Sequence, residues 1–186
     1  MAELYLAALT CPYHGHMPAV DLFTTADALF DGRHRLRLER TWDASLPRLG
    51  WVMLNPSVAD AEADDPTIRR CTGYARDWGY GSMIVGNLFT RIETDSRLLF
   101  SHRRRNHRDA TTYLQQLAGE TDLIVCAWGA LPAARERAAA VAEILLQSHE
   151  ALYALAINAT DDPLHPLRKR KSLTPIVWKS RETQTA

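Results

Sequence analysis

Gly50-Trp51-Val52-Met53-Leu54 is a short, unbroken apolar run that stops at Asn55-Pro56-Ser57, and a helix start follows at Asp64-Asp65-Pro66. A run this short, without polar alternation, suits a strand buried on both faces. Asp65 can cap the helix, Pro66 suits its first position, and the acidic pair complements the positive end of the helix dipole. Ile68, Cys71, Ala75 and Trp78 then recur at spacings of three and four, an apolar stripe with Arg69, Arg70 and Arg76 off it, until Gly79 ends the helix. Downstream the arrangement repeats with different words. Met83-Ile84-Val85-Gly86 ends in Asn87 and leads through a long loop to a helix near Asn106 to Ala118. Leu123-Ile124-Val125-Cys126-Ala127 ends in Trp128-Gly129 before an Ala-rich helix from about Pro132 to Gln147, and Leu152-Tyr153-Ala154-Leu155-Ala156 is a fourth run. Upstream, His34 to Trp42 alternates Leu36 and Leu38 with Arg35, Arg37 and Glu39, the period of a half-exposed edge strand. The expected fold is α/β, a three-layer α/β/α sandwich with a mainly parallel central sheet of about four strands plus that edge strand.

The chain of 186 residues is expected to form one domain, 1–186, with 1–33 as an N-terminal extension packing on the core. A composition 46% apolar and 24% charged argues against disorder and against a coiled coil. Acidic and basic residues number 22 each, so no long-range field advertises nucleic acid, and a phosphate-binding surface would have to come from local clustering. Two clusters qualify: Arg168-Lys169-Arg170-Lys171, and His102-Arg103-Arg104-Arg105 with Arg108. No apolar run approaches the length of a membrane span and the N-terminus lacks a signal-peptide layout, so the cytoplasm is the expected compartment and no membrane partner is expected. Cys11, Cys71 and Cys126 give no disulfide framework and exclude a four-cysteine iron–sulfur cluster within the chain. Cys11, His14 and His16 lie close together but lack the second Cys/His pair of a closed zinc site. No metal or other cofactor is expected, and no obligate protein partner.

Parallel strands joined by helices have their C-terminal ends on one edge of the sheet, which is where ligands bind in such folds. The residues just after the apolar runs should therefore meet there: Asn55 with Pro56 and Ser57, then Asn87, then Trp128 with Gly129, and finally the loop that carries His165. Two amides, an aromatic ring and an imidazole can hold a flat polar heterocycle by stacking and paired hydrogen bonds. Asn55 before proline reads equally as an Asx turn, Asn87 as a satisfied core amide, Trp128 as core, and Gly129 as a close turn. Asp64 and Asp65 read as helix caps or as acids of a site. Arg69 and Arg70 are neighbours about 100° apart on a helix, so both cannot face one site squarely.

At Met53-Leu54-Asn55-Pro56-Ser57 through Asp64-Asp65-Pro66-Thr67-Ile68-Arg69-Arg70-Cys71, then Asn87-Leu88-Phe89, Ala127-Trp128-Gly129 and His165-Pro166-Leu167, the chain resembles the bacterial and phage domain-of-unknown-function family 1643, over roughly Leu36 to the C-terminus. More distantly, the order strand–Asn-Pro, strand–Asn, strand–Trp-Gly and His-Pro is similar to the motif order of the uracil-DNA glycosylase superfamily. That second resemblance implies a glycosylase-like fold and a nucleobase or nucleotide ligand, with cleavage of an N-glycosidic bond in DNA. It further implies that Asn55 holds the attacking water, Asn87 pairs with the base edge and His165 donates to the departing base. Asn55 is similar to the superfamily's mismatch-specific branch, where the uracil-specific branch has an aspartate. A neutral amide orients water without accepting its proton, so Asp64 or Asp65 would have to assist. Arg168 to Lys171 would grip phosphates and Leu173 is the candidate wedge, whereas Leu167 stands where a serine commonly follows His-Pro. Two alternatives accompany this reading: a non-catalytic nucleic-acid or nucleotide-binding module, and a small-molecule hydrolase or transferase using Asp64, Asp65, Arg69 and Arg70.

Overall fold

The structure is a computed structural model that describes residues 23–181, so Cys11, His14 and His16 lie outside the described residues. Seven strands form one sheet: β1 (Thr25–Asp31), β2 (His34–Thr41), β3 (Arg48–Met53), β4 (Ser82–Asn87), β5 (Leu123–Cys126), β6 (Ala151–Ala154) and β7 (Ile176–Ser180). Three α-helices connect the parallel strands: α1 (Pro66–Asp77), α2 (Ala110–Glu120) and α3 (Arg135–Leu146). Across the sheet the order is β1-β2-β4-β3-β5-β6-β7. The inner four, β4, β3, β5 and β6, are parallel, while β1, β2 and β7 pair antiparallel.

The apolar runs are continuous because both faces of the inner strands are covered. Leu49, Trp51, Met53, Met83, Val85 and Val125 pack against α1 through Ile68, Cys71, Tyr74, Ala75 and Trp78. Val52, Ile84, Ile124, Cys126 and Leu152 pack on the other face against α2 and α3, which contribute Leu114, Leu117, Val141 and Leu145. The α2 layer sits close to the sheet. A Cβ on Gly86 would lie 2.9 Å from Leu117 Cδ1, so glycine lets the helix approach β4.

Helix α1 forms as its sequence dictates. Asp65 Oδ1 accepts from the N–H groups of Thr67 and Ile68, both at 2.8 Å, Pro66 opens the first turn, and Gly79 at φ +82° turns the chain away. The second predicted helix begins at Ala110 rather than Asn106, and the third opens with a 3₁₀ turn, Pro132–Ala134, before Arg135.

The strand count is the main correction. The sheet has seven strands where about four plus an edge were expected, and β2 is interior, not an edge. Residues 25–31, assigned to the N-terminal extension, form the edge strand β1, which turns at Gly32 (φ +55°) into β2. β2 reads as half-exposed because Arg37, Glu39 and Arg40 carry charges that are paired within the fold. Arg37 pairs with Glu39 and with Glu120 of α2, and Arg40, 1% exposed, pairs with Asp64 at 2.7 Å. The other edge, β7, carries exposed Ile176 and Val177 and lies after the last predicted element. Among the described residues no helix is long and apolar enough to cross a membrane.

Candidate functional site

β3 and β5 are neighbours whose onward connections run in opposite directions, β3 to β4 and β5 to β6, so a crevice opens beyond their C-terminal ends. That crevice has a volume of about 620 Å³, and its walls include Asn55, Ser57, Asn87, Trp128, Gly129 and His165. Side chains from four strand ends, up to 110 positions apart in sequence, line one cavity of the size that holds a small ligand.

Asn55 is held by the backbone. Its Nδ2 donates to Pro56 O at 2.9 Å and to Glu93 O at 2.6 Å, and Glu93 N–H donates to Pro56 O at 3.0 Å. Both amide hydrogens are therefore engaged, which leaves Oδ1 as an acceptor with no partner among the described residues. Asn87 is the last residue of β4 and only 5% exposed, and its Nδ2 has no hydrogen-bond partner among the described residues. Trp128 is 4% exposed and meets Trp178 edge-on at 5.0 Å, so most of its ring is core and the remainder forms crevice wall. Gly129, at φ +82°, donates its N–H to Pro163 O at 2.9 Å and ties the His165 loop to the end of β5.

The N–H of Leu167 donates to His165 Nδ1 at 3.3 Å, which assigns the imidazole proton to Nε2. Burial holds this histidine below its ordinary value of 6.5, with the negative charge of Asp65 opposing. At neutral pH His165 is an uncharged Nε2–H donor.

The acidic and basic candidates separate. Asp65 lines the crevice while capping α1; Asp64 lies off it, in the buried pair with Arg40. Arg69 donates to Asp64 O at 2.5 Å, and Arg70 stacks over Tyr74 at 4.7 Å and donates to Lys169 O; neither lines the crevice. The run Arg168 to Lys171 sits beside the crevice, on a loop that α1 holds by its main chain. Tyr74 Oη donates to Arg170 O at 2.7 Å, Trp78 Nε1 to Leu173 O at 2.9 Å, and Lys171 lies 3.6 Å from Asp77. Leu173, the wedge candidate, packs against the α1-side core, whereas Leu167 is exposed and lines the crevice. In the second basic cluster Arg103, Arg104 and Arg108 are exposed, while Arg105 stacks over Phe100 at 5.2 Å.

Two further residues of the crevice wall, Arg35 and Glu93, carry no local signal in the sequence. Arg35, 3% exposed, donates through Nη1 to Ala59 O at 2.8 Å, and its Nε has no partner among the described residues. Burial pulls it down to about 10 against the favourable charge of Asp65, so it stays protonated. In sequence it was one polar position of an alternating strand. The other is Glu93, in the loop after β4. Its Oε2 lies 3.0 Å from His102 Nε2, and that hydrogen bond holds the carboxyl below its ordinary range. Nothing in the sequence marks an acid in so long a loop as lying in the crevice wall, with its main chain against Asn55. Among the described residues, buried N–H groups without a partner also occur on Trp51, Arg70 and Arg91, none of which lines the crevice. Among the described residues no three His, Cys, Asp or Glu side chains gather as metal ligands.

No curated protein and no solved structure matches the chain. A family model matches from Arg35 to Leu167, two residues that both line the crevice, and the basic run Arg168 to Lys171 falls outside the match. Over those residues, 35–167, the chain belongs to the family described as Protein of unknown function (DUF1643).

Proposed function

We propose that the crevice binds a nucleobase, in DNA or in a nucleotide, and that the protein cleaves its N-glycosidic bond. The observation that carries the reading is the pair of buried donors without partners among the described residues, Asn87 Nδ2 and Arg35 Nε, on residues that line a cavity together with His165, whose proton is on Nε2. Donors left unpaired in this way favour a ligand whose edge offers acceptors, as the carbonyl oxygens and ring nitrogens of a base do. Cleavage sends the C1′–N electron pair into the base, where a hydrogen bond from His165 Nε2 stabilises the charge, while Asn55 Oδ1 accepts a hydrogen bond from the incoming water. The motif order strand–Asn-Pro, strand–Asn, strand–Trp-Gly and His-Pro supports the same assignment, with Arg168 and Arg170 beside the crevice as phosphate contacts.

The test is a panel of single- and double-stranded oligonucleotides carrying uracil, hypoxanthine or mispairs, together with free nucleosides and nucleotides. The expected outcome is released base and, in DNA, abasic sites. Absence of both cleavage and binding across the panel, with the protein folded, overturns the proposal. A non-catalytic binding module is the second reading, favoured by the backbone bonds that occupy the Asn55 amide. It gives binding that weakens with added salt and no turnover.

A further inference from the structure

The glycosidic reading leaves one step without an agent, because Asn55 cannot take the proton that the attacking water must lose. Three carboxylates lie near enough in the fold to be considered. Asp64 is engaged with Arg40 off the crevice, at 2.7 Å. Asp65 lines the crevice, but it is committed as the cap of α1 and, among the described residues, makes no bond to the Asn55 turn. Glu93 lines the same wall and is bonded to the Asn55 turn twice, through its carbonyl to Asn55 Nδ2 at 2.6 Å and through its N–H to Pro56 O at 3.0 Å. Its carboxylate is oriented by His102 Nε2 at 3.0 Å and by the N–H of Asp95 at 3.2 Å, and its side chain keeps 20% exposure.

Resting on the glycosidic reading, we infer that Glu93 is the catalytic base of this site, with Asn55 as the water's holder and His102 as the positioning residue behind the carboxylate. As the C1′–N bond breaks and its electron pair passes to the base, the water oxygen forms the new bond to C1′ and its proton passes to a Glu93 oxygen. The departing base keeps the electron pair and is hydrogen-bonded by His165. The carboxylate charge also opposes the positive charge that builds on the sugar, so a base of modest strength suffices when the sugar is already cation-like. Across the crevice the other charged groups are Asp65, which adds to that field, and Arg35, which offsets it.

The experiment compares wild type, Glu93→Gln and His102→Ala on whichever member of the nucleobase panel the wild type cleaves, measuring ligand binding and single-turnover rate from pH 4 to 8. Glu93→Gln keeps an acceptor for Asp95 N–H, so binding should stay within about twofold while the rate falls by about 100-fold or more. His102→Ala should move the acid limb of the rate profile to higher pH, because Glu93 loses the donor that keeps it ionised. A Glu93→Gln protein that cleaves at the wild-type rate overturns the assignment and leaves the glycosidic reading standing, as does one that loses binding and rate in equal measure. If the wild type binds bases without turnover, the binding-module reading holds and the catalytic base falls with the cleavage proposal.

Discussion

A buried N–H without an acceptor costs a folded protein about 1–3 kcal/mol, and a chain has little reason to retain two of them in one cavity wall unless something else fills their valence. Asn87 Nδ2 and Arg35 Nε stand in that position. At Asn87 the cost can be separated from the use. Asn87→Leu places an apolar group of similar shape among the buried neighbours of β4, and urea denaturation should show a change between neutral and about 1 kcal/mol of stabilisation. Affinity for the ligand identified by the panel should fall by about tenfold or more, the worth of a hydrogen bond in a desolvated site. A large loss of stability instead would mean that the amide is a structural group. The sequence placed Asn87 at the end of an apolar run and left its two readings open. Only the count of hydrogen-bond partners separates them.

Among the elements, α1 joins fold to site. Its first residues line the crevice, and its stripe at Arg70, Tyr74 and Trp78, spaced by four, fixes the loop that follows His165 by bonds to Lys169, Arg170 and Leu173 carbonyls. Asp65 acts in both settings, as cap and as the negative charge opposing the fall of the His165 pKa. The two roles separate by substitution. Asp65→Ala should cost about 0.5–2 kcal/mol of unfolding free energy through loss of the cap, whereas Asp65→Ser, which keeps an acceptor for the same N–H groups, should cost only a few tenths. Both remove the charge, so both should lower the His165 pKa further, read as imidazole shifts in an NMR titration. If serine and alanine destabilise equally, the capping role is wrong. An unmoved His165 titration would mean that Asp65 exerts no field there. The Asp65-Pro66 start and the stripe as far as Trp78 were plain in the sequence because local chemistry dictates them. Strand β1 was not, since its edge position leaves it mostly exposed and without an apolar pattern.

At the scale of the whole molecule, burial of His165 and of His34 makes stability depend on pH in a stated direction. Both are held below the ordinary histidine value of 6.5, His34 by burial and then by the positive neighbours His107 and Arg91 against Asp31. Below pH about 6.5 the unfolded chain therefore binds protons that the native protein does not, so stability falls as pH drops through that value and levels off above it. Urea midpoints between pH 5 and 8 should show this slope, and Asn or Gln at His34 and His165 together should flatten it. A wild-type profile flat across that window would refute the burial of both rings. By itself the sequence determined the parallel α/β core, the capped start of α1 and the residues at each strand end. These follow from apolar run length, helical period and turn chemistry, all of them local. Tertiary structure alone decided that Arg35 is buried at the crevice, that Asp64 belongs to Arg40, that the basic loop is held by α1, and that Glu93 sits on the Asn55 turn. Each of those is a contact between segments 24 or more residues apart, set by how the sheet orders its strands, and no local pattern encodes it.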